Sequence, residues 1–148
     1  MEREPIFNIP PSVLAALAVL AAVHIVLQIL PEQDANWATL ALAFIPARYG
    51  GMAGELPGGG EAAVALFATY QLVHADITHL LVNAAWLLAS GRAVARRIGA
   101  LRFFLFAGVC GAAGALLFLL LRWGELVPVV GASGAVSGLM APALRFFF

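Results

Sequence analysis

Two uninterrupted apolar runs constrain this chain more than any other feature of its sequence. Residues 13–30 and 103–121 contain no acidic residue, lysine or arginine. As α-helices, they would rise roughly 27 and 28 Å, close to the roughly 30 Å thickness of a bilayer's hydrocarbon core. Of the 148 residues, 63% are hydrophobic and only 11% are charged. A soluble domain of this length could not cover so much apolar surface, so the sequence predicts an all-α integral membrane protein.

Two weaker apolar stretches, residues 77–95 and 131–148, bring the predicted number of transmembrane helices to about four. The connection between the first and second spans, residues 32–76, is much longer than the other connections. Its apolar pieces, residues 37–45 and 62–73, are too short to cross a bilayer and are expected to form interfacial or re-entrant helices. The sequence therefore predicts four spans and one long looped connection with short helices.

The arginines predict the orientation of these spans. Arg92, Arg96, Arg97 and Arg102 lie between the second and third spans and are half of the eight cations, whereas the long connection is mainly acidic. The positive-inside rule then places this turn and the N-terminus in the cytoplasm and the long connection outside. The second and fourth spans both begin at the outer face in this topology, so residues at their starts lie at one depth.

Polar residues occur at both of these helix starts. His79 and Asn83 are four residues apart and therefore lie on one helical face, His74 precedes them, and Ser133 stands in a Gly-Ala-Ser-Gly tetrapeptide. Polar groups are expensive to place in a bilayer, and they indicate a functional site. The pattern His-x4-His-x3-Asn, followed by Gly-x-Ser-Gly, resembles the rhomboid family of intramembrane serine proteases. The resemblance extends over all four spans and implies a rhomboid-like helical bundle.

The resemblance implies that Ser133 is the nucleophile of a serine endopeptidase that cleaves transmembrane proteins near the outer membrane face. Such a nucleophile requires stabilisation of a tetrahedral oxyanion. The family pattern gives this role to His79 and Asn83, together with the Ser133 backbone N–H. Three further residues are expected to support the site: His74, Gly131 and Gly134.

The general base is the part of the family pattern that this sequence lacks. Family proteases use a histidine on a sixth span, whereas the histidines here are His24, His74 and His79. His24 is expected to be a buried, hydrogen-bonded residue of the first span. We therefore expect residues 1–148 to be a single rhomboid-like domain that is incomplete at its C-terminus, the beginning of a longer protease. An inactive truncated relative and a base supplied by a second chain are the alternatives.

The glycines of the third and fourth spans have two interpretations. Without a sixth span, Gly134 and Gly138 are expected to face lipid. Their four-residue spacing also suits close packing between any two membrane helices, and Gly111 and Gly114 are expected to pack in this way.

Several other function classes are disfavoured. The net charge of zero and the absence of a basic run argue against a nucleic-acid partner. Cys110 is the one cysteine, so neither an internal disulfide nor a thiolate metal site is expected. His74 and His79 have only Asp76 as a third metal ligand nearby, and we expect no metal or cofactor.

Two membrane functions compete with the protease. A transport or channel protein would carry ionisable groups across the depth of the membrane, whereas here they cluster at one face. A non-catalytic, derlin-like binder of membrane helices is the stronger alternative. In either case the expected partners are the lipid bilayer and transmembrane proteins, in a multi-pass protein of a bacterial inner membrane whose oligomeric state the sequence leaves open.

Overall fold

The computed structural model describes residues 8–147, with side chains as far as residue 145; Phe148, the predicted end of the fourth span, lies outside this range. Six α-helices form in the described residues: α1 Pro11–Ile29, α2 Glu32–Leu42, α3 Leu66–Thr69, α4 Ile77–Ile98, α5 Ala100–Leu121 and α6 Ser133–Phe147. Three short 3-10 helices lie in the long connection: Pro46–Arg48, Ala53–Glu55 and Tyr70–Leu72. No strand forms within the described residues, and the predicted all-α bundle is confirmed.

Local sequence explains where these helices begin and end. Pro11 occupies the first turn of α1, where a missing N–H costs nothing, and Pro31 keeps Leu30 extended so that the helix ends there. The Asp76 side chain caps α4 by accepting a hydrogen bond from the His79 backbone N–H at 2.8 Å. Gly99, with φ +80°, is the single residue between α4 and α5. A conformation that favours glycine therefore joins two 22-residue helices almost directly.

The helices pack around one main apolar cluster. Val13 and Leu20 of α1 meet Leu87 of α4 and Leu139 of α6 in this cluster. Phe103 of α5 joins them and lies against Gly91, where an added Cβ would be 3.3 Å from the ring. As a result, α4 and α6 are neighbours in the described bundle.

Length and apolar composition identify α1 and α5 as candidate membrane spans. The segment Leu66–Leu72 and helix α4 meet the same criteria only as a pair, and they are bent by 103° at the break between them. Helix α6 is described over 15 residues, which rise roughly 22 Å. Two candidate spans are therefore found in the described residues, or three if the bent pair is one span, where the sequence predicted about four.

The long connection contains short helices, as predicted, but with different bounds. The first helix, α2, begins at Glu32 rather than at residue 37 and has no buried residue. The segment that follows α2, residues 43–48, is buried and is not α-helical. Phe44 and Val129 form an antiparallel bridge, with backbone N···O distances of 3.0 and 2.8 Å. The connection is thereby attached to the loop that leads into α6.

Candidate active site

Ser133 is the first residue of α6, and its side chain is exposed. The loop before it turns sharply at Gly131, whose φ is +111°. Free backbone N–H groups and the positive end of the helix dipole occur at such a helix start, where they favour negative charge. The sequence was right to place Ser133 at a helix start.

Two backbone–backbone hydrogen bonds, besides the Phe44–Val129 bridge, attach the loop before Ser133 to the long connection. The Ala47 backbone N–H donates to the Glu125 carbonyl at 2.9 Å, and the Gly131 N–H donates to the Tyr70 carbonyl at 2.9 Å. Backbone hydrogen bonds of this kind satisfy groups that would otherwise be costly to bury. The long connection thus determines where the loop enters α6.

The His79 ring lies directly against Gly131. A Cβ at Gly131 would be 2.6 Å from Cε1 and 2.7 Å from Nε2 of His79, distances that non-bonded carbon atoms do not tolerate. Only glycine fits here, both for this close approach and for the positive φ. The structure therefore places the ring of His79, on α4, against the residue that lies two positions before Ser133.

His74 is buried, with 4% of its surface exposed, in the connection between Leu72 and α4. Its Nε2 accepts a hydrogen bond from the Ala132 backbone N–H at 3.5 Å, and its ring centroid lies 5.1 Å from that of His79. Burial and the neighbouring His79 lower the pKa of His74 to about 4. A neutral imidazole is what this contact requires, because Nε2 can accept only without a proton.

Asn83 is buried one turn after His79 on α4, on the predicted face. Its Nδ2 donates to the His79 carbonyl at 3.0 Å. This bond holds the amide along α4, one turn from the ring that lies against Gly131. The oxyanion role of Asn83 remains a prediction.

Gly134 and Gly138 pack against α5, and the expectation that they face lipid is wrong. A Cβ at Gly134 would lie 3.4 Å from the Gly111 Cα, and one at Gly138 would clash with the Cβ and Sγ of Cys110. The predicted packing role of Gly111 and Gly114 is confirmed by the same approach, since Gly114 is also opposite Gly134. The small residues of α6 therefore allow α5 and α6 to pack closely.

Two residues that sequence reasoning missed lie beside this contact. The Tyr70 hydroxyl is buried and donates to the Gly111 carbonyl at 2.8 Å. The Gln71 side chain lies over Gly111 so closely that an added Cβ would clash with it. Both residues fall in the apolar piece 62–73, and the only signal was that buried polar side chains need partners.

The histidines do not hydrogen-bond to the Ser133 hydroxyl in the part of the chain that the structure describes. His24 is buried on α1, as predicted, and it is near enough to His74 to help lower the pKa of that residue. Its Nδ1 has no hydrogen-bond partner among residues 8–147, so the predicted hydrogen-bonded role is not seen at that atom. Within the same residues, no group of three or more His, Cys, Asp or Glu side chains could hold a metal ion.

A known family model matches the part of the chain that contains these residues. Residues 61–148 match a family model described as a Rhomboid domain. The match covers more than half of the chain and includes α3 to α6 and every candidate site residue. No curated protein matches the chain.

Proposed function

The chain belongs to the rhomboid family of membrane proteins, and from this premise we propose that it acts as an intramembrane serine endopeptidase with Ser133 as its nucleophile. One observation carries the proposal: two histidines converge on the two residues that precede Ser133. The His79 ring lies on Gly131, and His74 accepts the Ala132 N–H. Apolar side chains would be enough to pack the start of a helix. The contact of two imidazole rings with this loop therefore supports a chemical role.

The proposed reaction is acyl transfer. The Ser133 Oγ forms a bond to the scissile carbonyl carbon while its proton passes to a base, and the carbonyl oxygen becomes an oxyanion. Backbone N–H groups at the start of α6, with His79 and Asn83, supply the donors that stabilise this charge. The C–N bond then breaks as the amine accepts the proton, and water hydrolyses the acyl-enzyme ester.

The base in this proposal is a histidine additional to the three of this sequence. His74 uses Nε2 to accept the Ala132 N–H, and the His79 ring is packed against Gly131. The family resemblance puts the dyad histidine on a sixth span. Loss of general base catalysis typically costs about 10²- to 10⁴-fold in rate, so residues 1–148 alone would cleave far more slowly than a chain that includes this histidine.

The proposed substrates are transmembrane proteins whose helices unwind locally near the outer face of a bacterial inner membrane. The arginines at the end of α4 and the start of α5 support this orientation, because they favour the cytoplasmic side. Ser133 then lies near the opposite face, where water is available for the hydrolytic step. Small or helix-breaking residues near the cleaved bond would assist, since an intact helix conceals its carbonyls.

Ser137 offers a matched control for the nucleophile. Ser133 and Ser137 are both exposed and lie one turn apart on the same face of α6. In the longest product of the gene, reconstituted with a reporter transmembrane substrate, Ser133→Ala is expected to reduce cleavage at least about 10³-fold. Ser137→Ala should retain most of the activity. Equal cleavage by the Ser133→Ala variant and the unaltered protein would exclude Ser133 as the nucleophile.

A non-catalytic binder of membrane helices is the second candidate. It is favoured by the exposed Ser133 hydroxyl, which has no histidine partner among the described residues. A fluorophosphonate probe separates the two functions, because it labels only an activated serine. The protease proposal expects labelling that Ser133→Ala abolishes and Ser137→Ala does not. A protein that captures transmembrane helices but is never labelled would be a binder.

A further inference from the structure

We propose that Tyr70 is a positioning residue for Ser133, and that its buried phenol sets the depth and angle at which α6 begins. The importance of this for catalysis rests on the proposed function. The contacts themselves do not, since they are properties of the fold. Tyr70 belongs to the short 3-10 helix Tyr70–Leu72 of the long connection, distant in sequence from both helices that it contacts.

The phenol oxygen occupies a space between three glycines of two helices. It donates a hydrogen bond to the Gly111 carbonyl of α5 at 2.8 Å. An added Cβ would lie 3.1 Å from this oxygen at Gly134 and 3.7 Å from it at Gly114. Any larger residue at Gly134 would press on the hydroxyl, so the phenol acts as a spacer at the first turn of α6.

The Tyr70 backbone provides a second contact with the same site. Its carbonyl accepts the Gly131 N–H at 2.9 Å. Tyr70 thus contacts the chain two residues before Ser133 through its backbone and one residue after Ser133 through its side chain. Tyr70 is therefore in contact with the chain on both sides of the candidate nucleophile.

Tyr70 is buried and packed against another ring, so it can hold the start of α6 in a fixed position. Its side chain is 3% exposed, and its ring lies 6.0 Å from that of Phe44, the residue that bridges to Val129. Nucleophilic attack depends strongly on such placement: an error of about 1 Å can cost about 10²-fold in rate. The hydroxyl is buried and donates to the Gly111 carbonyl, so this hydrogen bond defines its direction.

Tyr49 provides a control of the same chemistry. Its hydroxyl also donates to a backbone carbonyl, that of Ala63 at 2.6 Å, but within the long connection and away from α6. Tyr70→Phe and Tyr49→Phe each remove one oxygen and one hydrogen bond. A general loss of stability should affect both variants in the same way, whereas a positioning effect should be confined to Tyr70→Phe.

The first measurement needs no protease activity. A nitroxide spin label is attached at Ser133→Cys in a Cys110→Ala background, which leaves a single thiol among residues 1–148. Tyr70→Phe is expected to increase the mobility of this label, and Tyr49→Phe is expected to leave it unchanged. Equal mobility in all three proteins would overturn the positioning role, even if the protein proves to be a binder.

The second measurement is kinetic, in proteins that retain Ser133. Tyr70→Phe is expected to lower kcat for the reporter substrate about 10- to 10²-fold with little change in KM, because the misplaced hydroxyl affects attack rather than binding. Tyr49→Phe should retain both constants. A wild-type protein that cleaves nothing contradicts the proposed function, and the spin-label result then decides the positioning role by itself.

A double-variant cycle tests the contact directly if Tyr70→Phe is less stable. Gly134→Ala brings a methyl group against the Tyr70 hydroxyl, and Tyr70→Phe removes that hydroxyl. The two substitutions should therefore lower the melting temperature by less in combination than the sum of their separate effects. Strictly additive losses would show that the phenol does not limit the approach of α6, and would overturn the proposal.

Discussion

Helices α1 and α5 differ from α4 and α6, the two helices at the candidate site, in composition and burial. The first pair meets the length and composition criteria for a membrane span, and only four residues of each helix are buried. Helix α4 meets those criteria only with its bent partner and buries seven residues, and α6 is described over 15 residues. All candidate site residues lie on α4 and α6 or in the segments that precede them.

This difference follows from what surrounds each helix. Side chains of α1 and α5 are largely exposed on the surface of the bundle. In a membrane this surface faces lipid, so these two helices must be apolar in composition. Residues of α4 and α6 can be polar or small because neighbouring helices and the long connection cover them. Hydropathy therefore identifies the helices that anchor the chain and is weakest for those that carry the site.

The largest expected effect is at Gly131. Here a glycine-to-alanine substitution at the candidate site can be compared with the same substitution on the anchoring helix α5. Gly131→Ala places a methyl group against the His79 ring and strains a φ of +111°, so it should destabilise the protein by on the order of 2–4 kcal/mol. Gly108→Ala on α5 has no atom within 4 Å of the added Cβ, and it should be neutral or stabilise by about 0.5–1 kcal/mol. Unfolding in mild detergent measures both. Similar stabilities for the two variants would remove the distinction between the site and the anchoring helices.

An intermediate effect is expected at the α5–α6 contact. Gly138→Ala should cost about 1–3 kcal/mol, because the new methyl group meets the Cys110 side chain. Cys110→Gly removes the side-chain atoms that the new methyl group would meet. Gly138→Ala should therefore cost much less stability in the Cys110→Gly background than in the unaltered protein. The same unfolding assay applies. No recovery would mean that Gly138 is required for a reason other than its approach to Cys110.

The smallest effect is a dependence on pH that arises from His74. Its pKa is about 4 in the folded protein, below the ordinary histidine value of about 6.5, so the unfolded chain binds more protons between these values. Stability should therefore fall by on the order of 1–2 kcal/mol as the pH drops from about 6.5 to about 5. His74→Gln keeps an acceptor for the Ala132 N–H but cannot titrate, and melting curves of this variant should lack that component. An unchanged acid slope in His74→Gln would assign the dependence to other groups.

Much of the fold follows from periodicity and length alone. The predicted spans 13–30, 77–95 and 103–121 correspond to α1, α4 and α5 within a few residues at each end. The bounds differ where a local residue determines the end of a helix. Helix α4 continues beyond residue 95 until Gly99 permits the turn into α5. The bridge between Phe44 and Val129 was not predictable, because a backbone pairing across 85 positions leaves no periodic signal.

The candidate site was partly predictable for a related reason. Topology alone brings the starts of α4 and α6 to one end of the bundle, and the structure places His74 and His79 against the residues before Ser133. Tyr70 escaped detection because it lies in an apolar piece with no helical repeat of its own. The contacts of Gly134 were misassigned because small residues indicate close packing without naming the partner.

The single-residue turn at Gly99 has a consequence for how this protein enters a membrane. With one residue between them, α4 and α5 can insert only together, as a hairpin. Helix α5 is strongly apolar and charge-free from Phe103 onwards, whereas α4 carries histidine, asparagine and three arginines. The partition free energy of α5 therefore offsets the cost of inserting α4, so a helix with polar and charged residues enters the bilayer together with a strongly apolar one.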